Sequence, residues 1–382
     1  MPSVMIACGE PSGDLYAGAL ARALRTLDPA TRITGLGGDH LRDAGADLVA
    51  DYRGLSVTGL VEALRVLPKA WATHRALVDR ARRERPDALV VIDFPDFNFR
   101  LAGSLRRLGI PVVYYVCPQV WAWRPGRLKV LARLVDQALV IFPFEAEIYR
   151  RAGIPVEFVG HPLLELARPS ADRVALAAEW GLDGGAPIVA LLPGSRPNEI
   201  RGTLATLAAA VPLIAARVPR VQFVLARAPN LPDELFAPIR AVAGSRIPEV
   251  QGRADDVLSA ADVVVTASGT ATVQTAIHER PMVIVYRVSP LTYWIGRRFV
   301  SVDTFGMANL VAGRRIVPEL IQAAFTPEAV TAETVRYFDD PAHAAATRAA
   351  LADVRARLGE PGASRRAAEQ VLAVCRGRRR PR

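Results

Sequence analysis

The chain has 382 residues, of which 51% are hydrophobic and 23% charged, with a formal net charge of +10. It is too long for one ordinary core and too apolar for a disordered chain, so it reads as a globular protein of two domains. Cys8, Cys117 and Cys375 have neither the number of a disulfide scaffold nor metal-site spacing, and read as the reduced thiols of a cytoplasmic protein.

The first element is an apolar strand, Val4 to Cys8, beginning almost at Met1, so no export signal is expected. It runs into Gly9-Glu10-Pro11-Ser12-Gly13-Asp14 and a helical pattern from Leu15 to Leu27. The glycines permit close ligand approach. They place Glu10 at a strand end as a candidate catalytic carboxylate. Asp14 is either a site residue or a first-turn charge favoured by the helix dipole. A second strand, Arg32 to Leu36, follows.

Leu55 to Val78 is helical, with Pro68 as an expected kink. Leu60, Leu64, Leu67 and Trp71 form one stripe that by default is core, and Val57, Val61, Val66 and Ala70 lie off it. A helix apolar beyond one face, flanked by Arg65, Lys69 and His74, is also the pattern of an interfacial membrane helix. Both readings stay open at this level.

The strand Ala88 to Ile92 ends in Asp93-Phe94-Pro95-Asp96-Phe97-Asn98. A hydroxyl nucleophile needs a carboxylate to take its proton. Asp96 suits that role, with Asp93 and Asn98 to orient it. Alternatively, Asn98 caps the helical pattern that leads to Leu101–Leu108. Asp93-x-x-Asp96 lacks a third ligand for a metal, and no metal is expected. After the strand Val112 to Val116, Trp121 and Trp123 offer either sheet-top packing or an apolar wall for a substrate. Strands Ala138 to Phe142 and Val156 to Val159 complete the first half, where His161 reads as a satisfied structural histidine rather than a catalytic one.

The joint falls near Pro162 to Pro169. In the second half, the strand Ile188 to Leu192 runs into Pro193-Gly194-Ser195-Arg196, and a helix pattern opens near Asn198. A strand ending in a glycine turn beneath a helix N-terminus presents free backbone N–H groups to an anion, and Arg196 adds a planar cation. The strand Val263 to Thr266 breaks in the same way at Ser268-Gly269-Thr270. Two such cradles suit a diphosphate, as in a nucleotide-sugar donor. Neither matches the P-loop or dinucleotide spacing. Strands Gln222 to Ala226 and Met282 to Tyr286 accompany them, and beyond Pro327 only helices appear, broken at Pro341 and Pro361.

The longest nearly uncharged stretch, 202–216, contains Pro212 and is shorter than the ~20 residues of a membrane span. The cations are almost all arginine, with Lys69 and Lys129 the two lysines, and five arginines crowd residues 376–382. The excess favours anionic partners, whether nucleic acid, acidic lipid or phosphorylated substrates. Apolar strands alternating with helices predict an α/β protein of two doubly wound Rossmann-like domains facing across a cleft, with ligands beyond the carboxyl ends of the strands. The expected boundaries are 1–165, 166–335 and C-terminal helices crossing back over 336–382.

Taken together, GEPSGD (9–14), SVTGLVEAL (56–64), DFPDFN (93–98), PQVWAWR (118–124), FPFE (142–145), FVGHPL (158–163), LLPGSRPNEI (191–200), ASGTAT (267–272), PMVIVYR (281–287) and NLVAGRRIVPELIQ (309–322) resemble the lipid-A-disaccharide synthases. These are inverting glycosyltransferases of the B-type fold. The resemblance implies transfer of a sugar from UDP-2,3-diacylglucosamine to 2,3-diacylglucosamine 1-phosphate. The products are a β-1,6-linked disaccharide 1-phosphate and UDP. It implies no cofactor, a peripheral position on the cytoplasmic face of the inner membrane, an anionic membrane surface rather than nucleic acid as partner, and homodimerisation as an open state. It makes Asp96 and Glu10 the catalytic candidates. Gly194, Ser195, Arg196, Glu199, Ser268, Gly269, Thr270, Gln274 and Asn309 are then the donor-site candidates. Leu60, Val61, Leu64, Val66, Leu67, Trp71, Trp121 and Trp123 are those for acceptor or membrane docking.

The chain departs from the family pattern at Gln274, where a glutamate is usual, at Ala308, where proline is common, and at Cys117 and Gln119, where serine is common. The competing readings are a nucleotide-sugar 2-epimerase and a lipid-linked N-acetylglucosamine transferase on the same fold. A two-lobed binding protein without enzymatic activity would carry an export signal.

Overall fold

The structure, a computed structural model, describes residues 1–55, 60–123, 125–229, 231–242, 246–287 and 304–379, excluding the side chains of 60–65, 122, 123, 125, 378 and 379. It divides into two compact units: Met1–Pro162 with Leu358–Arg382, and Leu163–Arg357. Each is built on one parallel sheet.

In the first unit the strands are β1 (Ser3–Cys8), β2 (Arg32–Gly37), β3 (Asp47–Asp51), β4 (Ala88–Ile92), β5 (Val112–Tyr115), β6 (Gln137–Val140) and β7 (Val156–Phe158), in the order β3-β2-β1-β4-β5-β6-β7. In the second they are β8 (Ile188–Leu192), β9 (Gln222–Arg227), β10 (Glu249–Gln251), β11 (Val263–Ala267), β12 (Met282–Tyr286) and β13 (Glu319–Ile321), in the order β10-β9-β8-β11-β12-β13. This is the doubly wound arrangement twice over. Helices cover both faces, so the central strands are apolar on both sides: β4, β8 and β11 are buried along their whole length. In each sheet the strand order reverses between the first and fourth strands of the unit. These are β1 and β4, paired Cys8 to Ile92, and β8 and β11, paired Leu192 to Thr266.

The helices Pro327–Asp339 and Pro341–Arg357 stay with the second unit, and only Ala363–Arg379 belongs to the first. The returning segment is therefore shorter than the 336–382 expected. The last helix buries Ala367, Ala368, Val371 and Leu372 and packs on the helix Pro11–Leu27. Arg366 Nε donates to the Val159 carbonyl at 2.8 Å and the His161 amide donates to that of Leu358 at 2.9 Å, tying the returning chain down.

The helix Leu60–Glu84 continues through Pro68. Its stripe is the reverse of the default reading. Val66 and Ala70 pack against the core of the first unit, whereas Leu67 and Trp71 are 49% and 66% exposed. Val57 and the side chains of Leu60, Val61 and Leu64 lie outside the described residues. No helix among the described residues is long and apolar enough to cross a membrane.

Candidate functional site

In doubly wound sheets ligands gather beyond the carboxyl ends of the strands, where the strand order reverses. The loops after β1 and β4 meet at that point in the first unit. Gly9 lies so close to Phe94 that a Cβ there would fall 2.2 Å from the ring, so only glycine fits. Asp93 and Phe94 both hold left-handed backbone, with φ of 44° and 50°. Such residues cost of order 1–3 kcal/mol each and persist only where the surroundings fix them. Here Asn98 fixes them. Fully buried, it donates from Nδ2 to the carbonyls of Asp93 (2.7 Å) and Ile92 (3.2 Å). The Tyr114 hydroxyl donates to the same Asp93 carbonyl at 2.8 Å.

Asn98 is thus not the helix cap, and it acts on Asp96 only through the backbone of the turn. It lies inside the helix Pro95–Arg107 and holds the turn that precedes it. That turn sends Asp96 outward, its side chain 80% exposed, where Arg127 Nη2 donates to Asp96 Oδ1 at 2.7 Å. Sequence reasoning missed Arg127, which stands far along the chain in the loop after β5.

Glu10 precedes the helix Pro11–Leu27, is half-buried and makes no side-chain cap bond. Asp14 is buried and accepts from the amides of Gly38 (2.6 Å), His40 (3.0 Å) and Leu41 (3.3 Å). It therefore anchors the start of the neighbouring helix Asp39–Asp43 and is structural.

Trp121 is half-buried, meets Phe144 edge-on at 5.2 Å, and donates its indole N–H to Glu145 Oε1 at 3.3 Å. Burial pushes the Glu145 carboxyl up to about 8, so at neutral pH it is largely a neutral acid. This glutamate was not among the sequence candidates; its place in FPFE was the available signal. The side chain of Trp123 lies outside the described residues. His161 is buried against Tyr16 and Phe142, and burial pushes its imidazole down to about 3. It is uncharged at working pH and reads as structural.

In the second unit the turns after β8 and β11 stand side by side, because their strands are paired. Gly194 has φ of +126°, and a Cβ there would come within 2.6 Å of that of Glu199. Thr203 Oγ1 donates to the Pro193 carbonyl at 2.6 Å and pins the turn under the helix Pro197–Ala215. Glu199 accepts from the amides of Ser195 (2.9 Å) and Arg196 (3.3 Å) and from Arg196 Nη1 (2.9 Å). One carboxylate therefore lies on the anion-binding groups of the turn, in the kind of setting a phosphate oxygen would take.

At the second turn, Gly269 leads into the helix Thr270–Ile277, and the Ser268 hydroxyl donates to the Phe305 carbonyl at 3.0 Å. Ser268 is half-buried, and Gly269 and Thr270 are exposed.

Asn309 and Gln274, like Ser195, Arg196, Glu199 and Ser268, are engaged within the protein. Asn309 is buried. Its Oδ1 accepts from the amides of Ile316 and Val317, and its Nδ2 donates to the Val317 carbonyl and to Glu319. Glu319 also accepts from the Phe305 and Gly306 amides, so Asn309 shapes the loop that carries Phe305 rather than presenting its amide outward. Gln274 Nε2 lies 3.4 Å from both carboxylate oxygens of Asp255, which also meets His278 Nε2 at 3.0 Å. A carboxylate thus stands beside the position where the family usually carries one.

A family model described as lipid-A-disaccharide synthetase matches residues 4–374. The lipid-A-disaccharide synthase of Geobacter metallireducens is 45% identical over 374 residues, 97% of each chain. That of Myxococcus xanthus is 42% identical over 373 residues, 98% of this chain and 97% of its own. Among solved structures, UDP-GlcNAc 2-epimerase from Neisseria meningitidis bound to UDP-GlcNAc has a TM-score of 0.69 at 13% identity, over 98% of this chain and 100% of that one. MurG from Acinetobacter baumannii has a TM-score of 0.58 at 16% identity, over 98% and 100%. At such identities these structures speak for the fold alone, two Rossmann-like domains of the B-type glycosyltransferase class. The family match favours the synthase over the epimerase and the lipid-linked transferase. The motifs, the two parallel sheets and the whole-length similarity converge: the chain belongs to the lipid-A-disaccharide synthase family and is a glycosyltransferase.

Proposed function

We propose that this chain condenses UDP-2,3-diacylglucosamine with 2,3-diacylglucosamine 1-phosphate, inverting the donor's anomeric carbon to form a β-1,6 linkage. The acceptor's 6-hydroxyl oxygen attacks that carbon and its proton passes to Asp96. The bond from the anomeric carbon to the diphosphate oxygen breaks, and UDP leaves with the electron pair. Glu10, on the adjacent loop, is the second carboxylate of the site.

The alcohol is a very weak acid, so a positioned base is needed as the new bond forms. The leaving diphosphate gains charge, and donors fixed in advance around it stabilise the transition state more than the ground state. Arg196 and the helix start at Gly269–Thr270 supply those donors, and the Ser195 and Arg196 amides join them once the diphosphate displaces the Glu199 carboxylate. The observation that carries this reading is that each loop pair lies at its own sheet's point of strand reversal.

The substrates carry acyl chains, and the exposed Leu67 and Trp71 are the surface that meets the membrane holding them. Arg75 lies 5.7 Å over the Trp71 ring, adding a cation suited to anionic lipid headgroups on the cytoplasmic face of the inner membrane.

The test is Asp96→Ala in purified full-length protein. Turnover is expected to fall about 100- to 10,000-fold, the contribution of a positioned general base, while UDP binding stays within a few-fold of wild type; unchanged turnover removes Asp96 as the base.

A further inference from the structure

We infer that Arg127 is a positioning residue for the reaction, holding Asp96 in the orientation that receives the proton. This rests on the reading of Asp96 as the base.

An aspartate that is 80% exposed has no packing to select its rotamer. Proton transfer in the transition state requires the accepting oxygen at a fixed place, and a displacement of about 1 Å costs on the order of a hundredfold in rate. Arg127 is much less exposed, at 28%, and its guanidinium carbon sits 5.5 Å over the ring of Phe99. Phe99 in turn packs edge-on against Tyr114 at 6.1 Å. Tyr114 is the residue whose hydroxyl holds the Asp93 carbonyl in the strained turn.

The same buried tyrosine therefore supports both the turn that presents Asp96 and the ring that carries Arg127. From this platform Arg127 Nη2 takes Asp96 Oδ1 at 2.7 Å. Oδ2 has no partner among the described residues, which leaves it to accept the hydroxyl proton. The charge balance fits: Asp96 becomes a neutral acid on proton transfer, and Arg127 keeps its hydrogen bond to Oδ1 throughout.

The test compares wild type, Arg127→Ala, Arg127→Lys, Asp96→Ala and the Asp96→Ala/Arg127→Ala double variant, all full length, by UDP release with donor and acceptor varied separately. Arg127→Ala is expected to lower kcat about 10- to 100-fold with both KM values within about twofold of wild type. Arg127→Lys is expected to fall between the two, and guanidinium ion in the assay to restore part of the lost kcat. The double variant should be no slower than Asp96→Ala.

A raised acceptor KM at unchanged kcat would assign Arg127 to the acceptor's phosphate and overturn the inference. Wild-type turnover by Arg127→Ala, or an equal further loss in the Asp96→Ala background, would also overturn it. Wild-type turnover by Asp96→Ala would instead remove the base reading on which the inference stands. Should Arg127→Ala fail to fold, the lysine variant and an Arg127→Gln variant carry the same comparison.

Discussion

Glu199 and Arg196 face each other across one turn of helix, Oε1 to Nη1 at 2.9 Å, while the other oxygen of Glu199 accepts from the Ser195 amide at 2.9 Å. The carboxylate holds the guanidinium at the mouth of the turn and sits on the groups proposed to receive the diphosphate. Replacing Arg196 by Ala removes the permanent cation. The expected loss is about 3–4 kcal/mol in kcat/KM, as for a single preorganised donor at a developing charge. Steady-state UDP release measures it, and a loss under tenfold contradicts direct contact with the leaving diphosphate.

Gly194 makes the geometry of that turn possible. Its φ of +126° and the closeness of Glu199 leave no room for a side chain. Gly194→Ala should keep the fold but weaken UDP binding tenfold or more in calorimetry, with about 1–3 kcal/mol lost in denaturant unfolding. Wild-type affinity would mean that the turn does not hold the diphosphate.

Asn98 and Asp96 lie two positions apart and should fail differently. Asn98→Leu keeps the volume but removes the donors that hold the Asp93 turn, so it should destabilise by roughly 1–3 kcal/mol in urea unfolding. Asp96→Ala, at an exposed position, should leave the unfolding midpoint within error of wild type. Equal destabilisation by the two would argue against this division of roles.

The helix Leu60–Glu84 offers a similar contrast. Leu67→Ser with Trp71→Ser should reduce flotation with anionic liposomes without lowering the melting temperature. Val66→Ser should lower the melting temperature, because Val66 packs on the core. Unchanged flotation of the double variant would remove this face as the docking surface.

Burial holds the Glu145 carboxyl at about 8 against an ordinary 4.5. Between those values the folded protein keeps a proton that the unfolded chain has released. The contribution is fully present below about 4.5 and is lost as pH rises through about 8. His161 acts at lower pH and in the opposite sense. Held at about 3 against an ordinary 6.5, it stays neutral in the fold while the unfolded chain takes up a proton, so stability falls as pH drops across that window. Glu145→Gln removes the first effect. Its unfolding free energy relative to wild type should therefore rise steadily from pH 5 to pH 8 in urea titrations; a flat difference contradicts a buried neutral acid.

Much of this was legible in the sequence for a physical reason. Strands covered on both faces must be apolar throughout, and Val4 to Cys8, Ala88 to Ile92 and Val263 to Thr266 announce themselves. The strands that were missed, β3, β10 and β13, are all sheet edges and partly exposed: β10 and β13 have three residues each, and aspartates close both ends of the brief Leu48-Val49-Ala50 run of β3. The glycine turns at Gly194 and Gly269 were readable because few residues other than glycine tolerate such backbone. Side-chain direction was not readable. The stripe of Leu67 and Trp71 has the spacing of a core face, yet tertiary packing chose Val66 and Ala70. Asn309 resembles a presented polar group, yet it turns inward to satisfy a loop. Arg127 meets Asp96 only because the loops after β4 and β5 emerge from paired strands.

The most direct test is to incubate the purified protein with both acylated substrates and follow UDP release together with product mass and linkage, with and without chelator. The account predicts one UDP per disaccharide 1-phosphate, a β-1,6 linkage, and the same rate with chelator as without. UDP release without disaccharide, or a product of retained configuration, would contradict it.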